Sequence, residues 1–408
     1  MQIPEVVSLG SDCTGLGTEV IAAELCGIPY KIIFGSEINP HVRHLHKLLH
    51  PTAPPLGVDC TQDVLRKPTV DLYVAGPPCQ PWSAIGQQKG LKDFRGTVFY
   101  HVLEFVRVRQ PRAVLIENVR GLLDRHADML SDVLHMLKAS GYCATWDILD
   151  TKDHGIPQSR PRLLIVGIRA DSCAHTFKFP KKLKMKPSMD LFLHHGKPYD
   201  WDPLRLPPTN ATARRNLQHA RAKMVATGIN PASAHTFIDV FASKKFASLN
   251  LKHCPCITAS RSKAGGFYIS HLNRMTYYLE LGRLQGFPTD KLRTMLSSNG
   301  VKHSVVGHAI GNAISVNILM RILPRLLVAA GLVQQSAVRA DVWKKTTKAQ
   351  VTSMNILPDD IYYGELRASA RQSGKKRCDR KCQCVISCIA VQARPVSCSD
   401  DAPCTAKP

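Results

Sequence analysis

The run Gly76-Pro77-Pro78-Cys79-Gln80-Pro81-Trp82-Ser83 places a cysteine directly after two prolines, at the end of a short apolar segment, Asp71–Ala75. Each proline fixes its own φ, so the thiol is held where the chain leaves a strand instead of packing as one more small hydrophobe. A cysteine acts as a nucleophile only as the thiolate, and its free pKa of about 8.5 means that a base or a positive neighbour must assist. Beyond the next apolar segment comes Ile116-Glu117-Asn118-Val119, a carboxyl that could share a proton with a ring nitrogen. Further on, Gly155-Ile156-Pro157-Gln158-Ser159-Arg160-Pro161-Arg162 offers two guanidinium forks and an amide before another apolar segment. A salt-bridged surface turn is the plainer reading of that last group, as a structural thiol is for an isolated cysteine.

These groups need elements to position them. Up to about residue 170, short apolar runs alternate with helical periodicity. Strands are predicted at Val6–Leu9, Lys31–Gly35, Leu72–Ala75, Ala113–Ile116, Cys143–Leu149 and Leu163–Ile168, and helices at Gly17–Cys26, Pro40–Leu49, Thr97–Arg109 and Asp124–Ser140, with Asn39 capping the second helix. The alternation predicts an α/β fold with a doubly wound, mostly parallel sheet, in which ligands bind beyond the carboxyl ends of the strands. The Gly-rich turn Gly10–Gly17 follows the first strand and could bring a ligand close to the backbone and to a helix N-terminus; a tight turn without a ligand is equally consistent with it. Glu37 ends the second strand and Asp59 follows the next turn; each could face a nucleoside from there, or lie in a solvated loop.

The charge is divided unevenly. Of a net +23, residues 1–170 contribute +1, 171–272 contribute +11, 273–330 contribute +5 and 331–408 contribute +6. The rhythm of the first part is lost in the basic segment, where Lys181, Lys182, Lys184 and Lys186 cluster and Arg214, Arg215, Arg221 and Lys223 suggest a basic helix face. It resumes at Arg274–Gly286 and Ile310–Ala330. Four parts are expected: an α/β part at 1–170, a basic second domain at 171–272, a closing α/β part at 273–332 and a basic, Cys-rich tail at 333–408. Concentrated positive charge points to a polyanion, nucleic acid first.

No membrane span is expected, since the most apolar run, Ile318–Val333, contains Arg321 and Arg325. No basic stretch precedes an apolar one at the N-terminus, so export is not expected, and the fourteen cysteines read as reduced intracellular thiols. Six of them fall in the last 31 residues, but their spacing is not that of paired Cys-x2-Cys ligands, and no resident metal is assigned. Lys375-Lys376-Arg377 beside them is a candidate nuclear address, should the cell be eukaryotic.

Taken together, the quoted motifs resemble the DNA cytosine-5 methyltransferases, over residues of about 5–170 and 255–330. The matching elements are the Gly-rich turn, Glu37–His41, Asp59, Gly76–Ser83, Glu117–Val119, Gln158–Arg162, Arg283–Pro288 and Gly311–Asn317. The resemblance implies a Rossmann-like fold and transfer of a methyl group from S-adenosyl-L-methionine to carbon-5 of a flipped-out cytosine. By motif, Cys79 would be the nucleophile, Glu117 the partner of ring nitrogen-3, and Arg160 and Arg162 groups near the substrate. Gly15, Glu37, Asp59, Pro78 and Asn312 would hold the cofactor, while Ser83 and Gln158 would face the substrate. The basic segment stands where the family reads its target. A tRNA-methylating branch shares these motifs but carries a Cys-Phe-Thr signature, whereas here Cys256 precedes Ile257-Thr258; DNA is therefore favoured over tRNA. One departure stands out: Gly10 and Asp12 occupy positions where the family carries an adenine-stacking aromatic and a glycine. Weaker cofactor binding is the expectation, and a catalytically silent DNA-binding paralogue is the alternative it raises.

Neutralising Lys181, Lys182, Lys184 and Lys186 together is predicted to weaken DNA binding and flatten its salt dependence, the slope falling by roughly 0.9 for each lost phosphate contact. Cofactor affinity should be unchanged. Binding isotherms across a salt series, with calorimetry for the cofactor, measure both.

Overall fold

Period-two alternation along the central strands sorts their side chains onto two faces. In β3 (Leu72–Ala75), Leu72 and Val74 enter one core while Tyr73 and Ala75 enter the other, and all four residues are buried. A strand covered on both faces belongs in the middle of an α/β sheet. The computed structural model describes residues 4–62, 64, 66–78, 94–184, 187–242, 249–250 and 253–345. All belong to the first of two units, Met1–Tyr362; the second, Tyr363–Pro408, holds the six tail cysteines and lies outside the described residues.

In chain order the first part runs β1 (Val7–Asp12), α1 (Thr18–Cys26), β2 (Tyr30–Ser36), α2 (Pro40–Leu49), β3, α3 (Phe94–Arg109), β4 (Ala113–Val119), α4 (Gly121–Arg125), α5 (Ala127–Ala139), β5 (Tyr142–Asp150) and β6 (Pro161–Arg169). The six strands form one sheet in the order β2-β1-β3-β4-β6-β5. Neighbours from β2 to β4 are parallel, and β6 runs antiparallel to both β4 and β5. The expected mostly parallel, doubly wound Rossmann-like sheet is therefore present. Asn39 caps α2 as expected, its side chain accepting from the His41 and Val42 N–H groups.

Gly10 lies mid-strand in β1. A Cβ there would fall 2.3 Å from Phe34 Cε1, because the Phe34 ring fills that space and packs on Tyr73 and Phe105. Asp12 is likewise committed: Ser36 Oγ (2.6 Å), Lys67 Nζ (2.7 Å) and Tyr73 Oη (2.7 Å) all donate to it.

The basic segment builds a second, smaller sheet. After α6 (Ala211–Ala226) come β7 (Phe237–Ile238), β8 (Leu249–Asn250), α7 (Ala259–Lys263), β9 (Tyr268–Ile269) and β10 (Arg274–Met275), with strand order β10-β9-β7-β8, antiparallel throughout. Ala213, Leu217, Ala220 and Met224 form one face of α6, against Ile238, Tyr268 and Met275. Arg214, Arg215 and Lys223 lie exposed on α6. Arg221 departs from the expected basic face, since its guanidinium donates to Tyr268 Oη and Asn273 Oδ1.

The chain then returns through α8 (Tyr278–Arg283), α9 (Thr289–Leu296), α10 (His303–Asn312) and α11 (Val316–Ala329). Among the described residues no single helix is long and apolar enough to cross a membrane; α10 and α11 pass on length and composition only as a pair bent by 41°. Arg321, which interrupts the apolar run, is buried: it donates to Asp341 Oδ2 (3.0 Å) and to the Lys181 carbonyl (3.0 Å), and it meets His154 Nδ1. That contact fastens the Lys-rich stretch to α11.

Glu280 makes the tightest tie between the two sheets' surroundings. Its carboxylate is fully buried, accepts both Arg274 guanidinium nitrogens (2.6 and 2.9 Å), and also takes the His194 and Tyr277 N–H groups at 2.7 and 2.8 Å. Removing one member of such a pair leaves an uncompensated buried charge. Glu280→Ala is predicted to cost about 3–5 kcal/mol in urea denaturation.

Candidate active site

A cavity of about 360 Å³ opens at the carboxyl ends of β1 to β4 and is closed on one side by the turn between α10 and α11. That volume lies within the usual range for small-molecule sites. Its lining includes Gly15, Glu37, Asp59, Pro78, Glu117, Arg160, Arg162 and Asn312, so eight of the residues singled out in the sequence share one concavity. Cys79 and Ser83 lie outside the described residues; Pro77 and Pro78, which precede them, line the cavity.

One end presents an open backbone beside a fixed carboxylate. Gly15 adopts φ +56°, a conformation that favours glycine, and no atom lies within 4 Å of where its Cβ would stand. Its N–H donates to Glu37 Oε2 at 3.2 Å, and Asn39 N–H donates to Glu37 Oε1 at 2.9 Å. These bonds fix the carboxylate at the end of β2, while burial pushes its pKa up. Asp59 Oδ1 accepts the Thr61 N–H (2.9 Å) and hydroxyl (2.8 Å), bonds that hold its pKa below the ordinary value. Asn312, the last residue of α10, is exposed toward the same space. Neither Gly10 nor Asp12 lines the cavity: Gly10 faces the Phe34 ring, and Asp12 holds β1 to its neighbours.

At the other end, the antiparallel pairing of β4 with β6 sets Val119 opposite Arg162 and Glu117 opposite Leu164. Arg162 Nε lies 3.0 Å from Glu117 Oε1. Burial raises the Glu117 pKa, and the Arg162 and Arg160 guanidiniums only partly offset it. Asn118 supports the loop, its Oδ1 accepting the Val119 N–H at 2.8 Å.

Two residues expected near substrate have different tasks. Arg160 is 2% exposed, and its terminal nitrogens donate to the carbonyls of Ile257 (2.7 Å), Ala313 (2.7 Å) and Gly311 (3.2 Å). Burial draws its pKa down to about 10. With both forks on backbone, it is a positioning residue at the cavity wall. Gln158 is wholly buried and lies off the cavity lining, donating to the Leu284 carbonyl (2.6 Å) and Gln285 Oε1 (3.2 Å) and accepting the Ile257 N–H (3.1 Å). Lys181, Lys182 and Lys184 are exposed and lie off the cavity lining, with Lys182 3.0 Å from Asp153; Lys186 is outside the described residues.

The cavity also holds groups that sequence reading passed over. Cys13 and Cys60 both line it, with 3.9 Å between their sulfurs. Glu19, in the first turn of α1, accepts the Thr14 hydroxyl at 2.7 Å, and its pKa is raised by burial. Behind the lining, Cys256 sits 3.8 Å from both Arg160 and Arg162; burial pushes its thiol up, but the two guanidiniums outweigh that and hold it below the ordinary range. Its place after Pro255 gave no sign of this, because the pairing joins residues about a hundred positions apart.

Glu117 is predicted to titrate above the ordinary carboxylate range. Arg162→Gln should raise it further, since it removes a positive charge that favours the ionised form. Infrared difference titration of the carboxyl band, referenced to Glu117→Gln, measures both shifts.

Comparison with known proteins agrees with this arrangement. The sequence profile of the C-5 cytosine-specific DNA methylases matches residues 6–327. The Type II methyltransferase M.HgiCII of Herpetosiphon aurantiacus is 34% identical over 179 residues, which is 43% of this chain and 38% of that protein, so the match spans well under half of that relative. The Type II methyltransferase M.NgoBI of Neisseria gonorrhoeae is 29% identical over 292 residues, 70% of this chain and 83% of that one. Among solved structures, the Entamoeba histolytica methyltransferase EhMeth superposes with a TM-score of 0.58 at 14% identity, covering 80% of this chain and 99% of that one. The S. pombe Dnmt2 methyltransferase gives 0.55 at 18% identity, covering 79% and 98%. These likenesses carry the fold, and the profile match over most of the length carries the lineage: the chain belongs to the C-5 cytosine-specific DNA methylase family.

Proposed function

We propose that the protein transfers a methyl group from S-adenosyl-L-methionine to carbon-5 of cytosine in DNA. The observation that carries this reading is the buried Glu117–Arg162 pair in the same cavity as Gly15, Glu37 and Pro78, the last of these one residue before Cys79. The cavity fits the cofactor in kind. Gly15 leaves its backbone open to it, Glu37 presents a fixed carboxylate where ribose hydroxyls would bind, and Asp59, Pro78 and Asn312 complete the wall. When bound, the cofactor supplies an electrophilic methyl group.

The protein's own groups do the rest. A cytosine inside a duplex hides its ring faces, so the base must leave the stack to reach Glu117. Cys79 adds as thiolate to carbon-6, forming a carbon–sulfur bond and sending electron density to carbon-5. Glu117 hydrogen-bonds at ring nitrogen-3, where its raised pKa favours the proton-bearing form as negative charge builds on the ring. Carbon-5 takes the methyl group, leaving the cofactor as a neutral thioether; the carbon-5 proton then passes to water, and the electron pair of that C–H bond expels Cys79 as thiolate and restores aromaticity. Arg162 holds Glu117 in place, and Arg160 keeps the surrounding backbone fixed. Ser83 would face the substrate from the segment after Cys79.

The +11 segment, with its exposed Lys181, Lys182 and Lys184, would lie along the phosphate backbone. A nuclear address at Lys375–Arg377 gains no support from the bacterial relatives and is left out of this reading.

Trapping with 5-fluorocytosine oligonucleotides tests the proposal, because fluorine at carbon-5 cannot leave as a proton does. A denaturation-resistant adduct is expected with DNA and absent in Cys79→Ser. Adducts with tRNA alone would reassign the substrate, and no adduct with either would point to a silent paralogue.

A further inference from the structure

Away from the cavity, three side chains from separate stretches of the basic segment converge. Asp190 lies in a short turn after Ser188, His235 stands just before β7, and His271 sits in the turn between β9 and β10. His235 Nδ1 is 2.8 Å from Asp190 Oδ1 and 2.7 Å from Oδ2, and His271 Nε2 is 3.6 Å from Oδ1. One ligand-capable atom from each residue falls within 4.8 Å of the other two.

Two further features mark this group. The His235 and His271 rings stack, with centroids 4.0 Å apart and planes 13° from parallel. The stack holds both rings beside the Asp190 carboxylate. The His271 side chain is only 11% exposed, with its Nε2 turned toward Asp190 and the Ala234 backbone beside the ring. His195 adds a nearby imidazole, its Nε2 3.3 Å from the Asp190 carbonyl.

We propose that Asp190, His235 and His271 bind a divalent transition-metal ion of the Zn²⁺ class, with water completing its coordination. Ligands at about 2.0–2.2 Å from such an ion stand roughly 3.3 Å from one another in a tetrahedron. The two Asp190–His separations, 2.7 and 3.6 Å, bracket that figure, and one imidazole turns out of the stack to aim its in-plane lone pair at the ion. Two imidazoles with a single carboxylate suit a borderline ion; Ca²⁺ and Mg²⁺ favour oxygen ligands throughout. The ligands come from a linker turn, the start of β7 and the β9–β10 turn, so the ion would pin the linker to the small sheet. The site is independent of the proposed chemistry at Cys79 and invisible in the sequence, where its ligands are tens of residues apart.

Cobalt titration of the metal-free, full-length chain tests this. Thiolate ligands from the Cys-rich tail give intense near-ultraviolet charge-transfer bands with Co²⁺, whereas nitrogen and oxygen ligands give only weak visible bands. One equivalent with visible bands alone is expected, displaced by Zn²⁺, and weakened at least about a hundredfold in His271→Ala and in Asp190→Asn. In case loss of a ring loosens the turn, His271→Cys provides a second reading: it should keep the ion and acquire a charge-transfer band attributable to that position. Equal binding by wild type and both removal variants, or no new band in His271→Cys, would overturn the proposal.

Discussion

The Arg160 guanidinium, buried among carbonyls, joins three parts of the chain that are far apart in sequence. Its own segment leads into β6, which carries Arg162; one fork takes the Ile257 carbonyl of the stretch leaving the basic segment; the other takes Gly311 and Ala313 on either side of Asn312. A buried cation is tolerated only when its hydrogen bonds are well met, and once met they fix the geometry of everything they touch. Here that includes the wall of the cavity, the distance from Arg162 to Glu117, and the position of Cys256 between two guanidiniums. Gln158 works alongside it by bonding the same Ile257 backbone to Leu284 and Gln285.

Electrostatics divide along the same lines. The part that builds most of the cavity is close to neutral overall, and its charged groups act pairwise at short range: Asp12 with Lys67, Glu117 with Arg162. The basic segment carries a net +11, part of it on an exposed lysine stretch and the outer residues of α6. One region thus tunes individual protonation states, while the other offers a field that a polyanion would meet before any specific contact forms. The buried Glu280–Arg274 pair and the Arg321 contacts hold the two in place without altering either role.

Much of this could be read from the chain before its fold was known. Strand alternation and helix periodicity located all six strands of the large sheet, and Pro40 after Asn39 marked a helix start to the residue, because these signals are local. Glu117, Arg162, Gly15 and Glu37 were recognisable since each lies near a strand end where an α/β sheet presents its ligands, and Asp59 through its match to the family's motifs. What escaped reading was pairwise and long-range. That Arg160 and Gln158 bond the backbone depends on groups contributed by residues 257 to 313, which no local pattern reveals. The replacement at Gly10 looked like a lost stacking ring, yet the structure turns that position toward Phe34 from the neighbouring strand. The Asp190–His235–His271 group was hidden for the same reason.

Methylation of cytosine at carbon-5 in DNA is tested most directly by incubating duplex DNA with the protein and S-adenosyl-L-methionine bearing a deuterated methyl group, followed by mass analysis of the released nucleosides. The expected product is 5-methyl-2′-deoxycytidine carrying the label. Label on the exocyclic amine of cytosine, on another base, or only in RNA supplied alongside would contradict it.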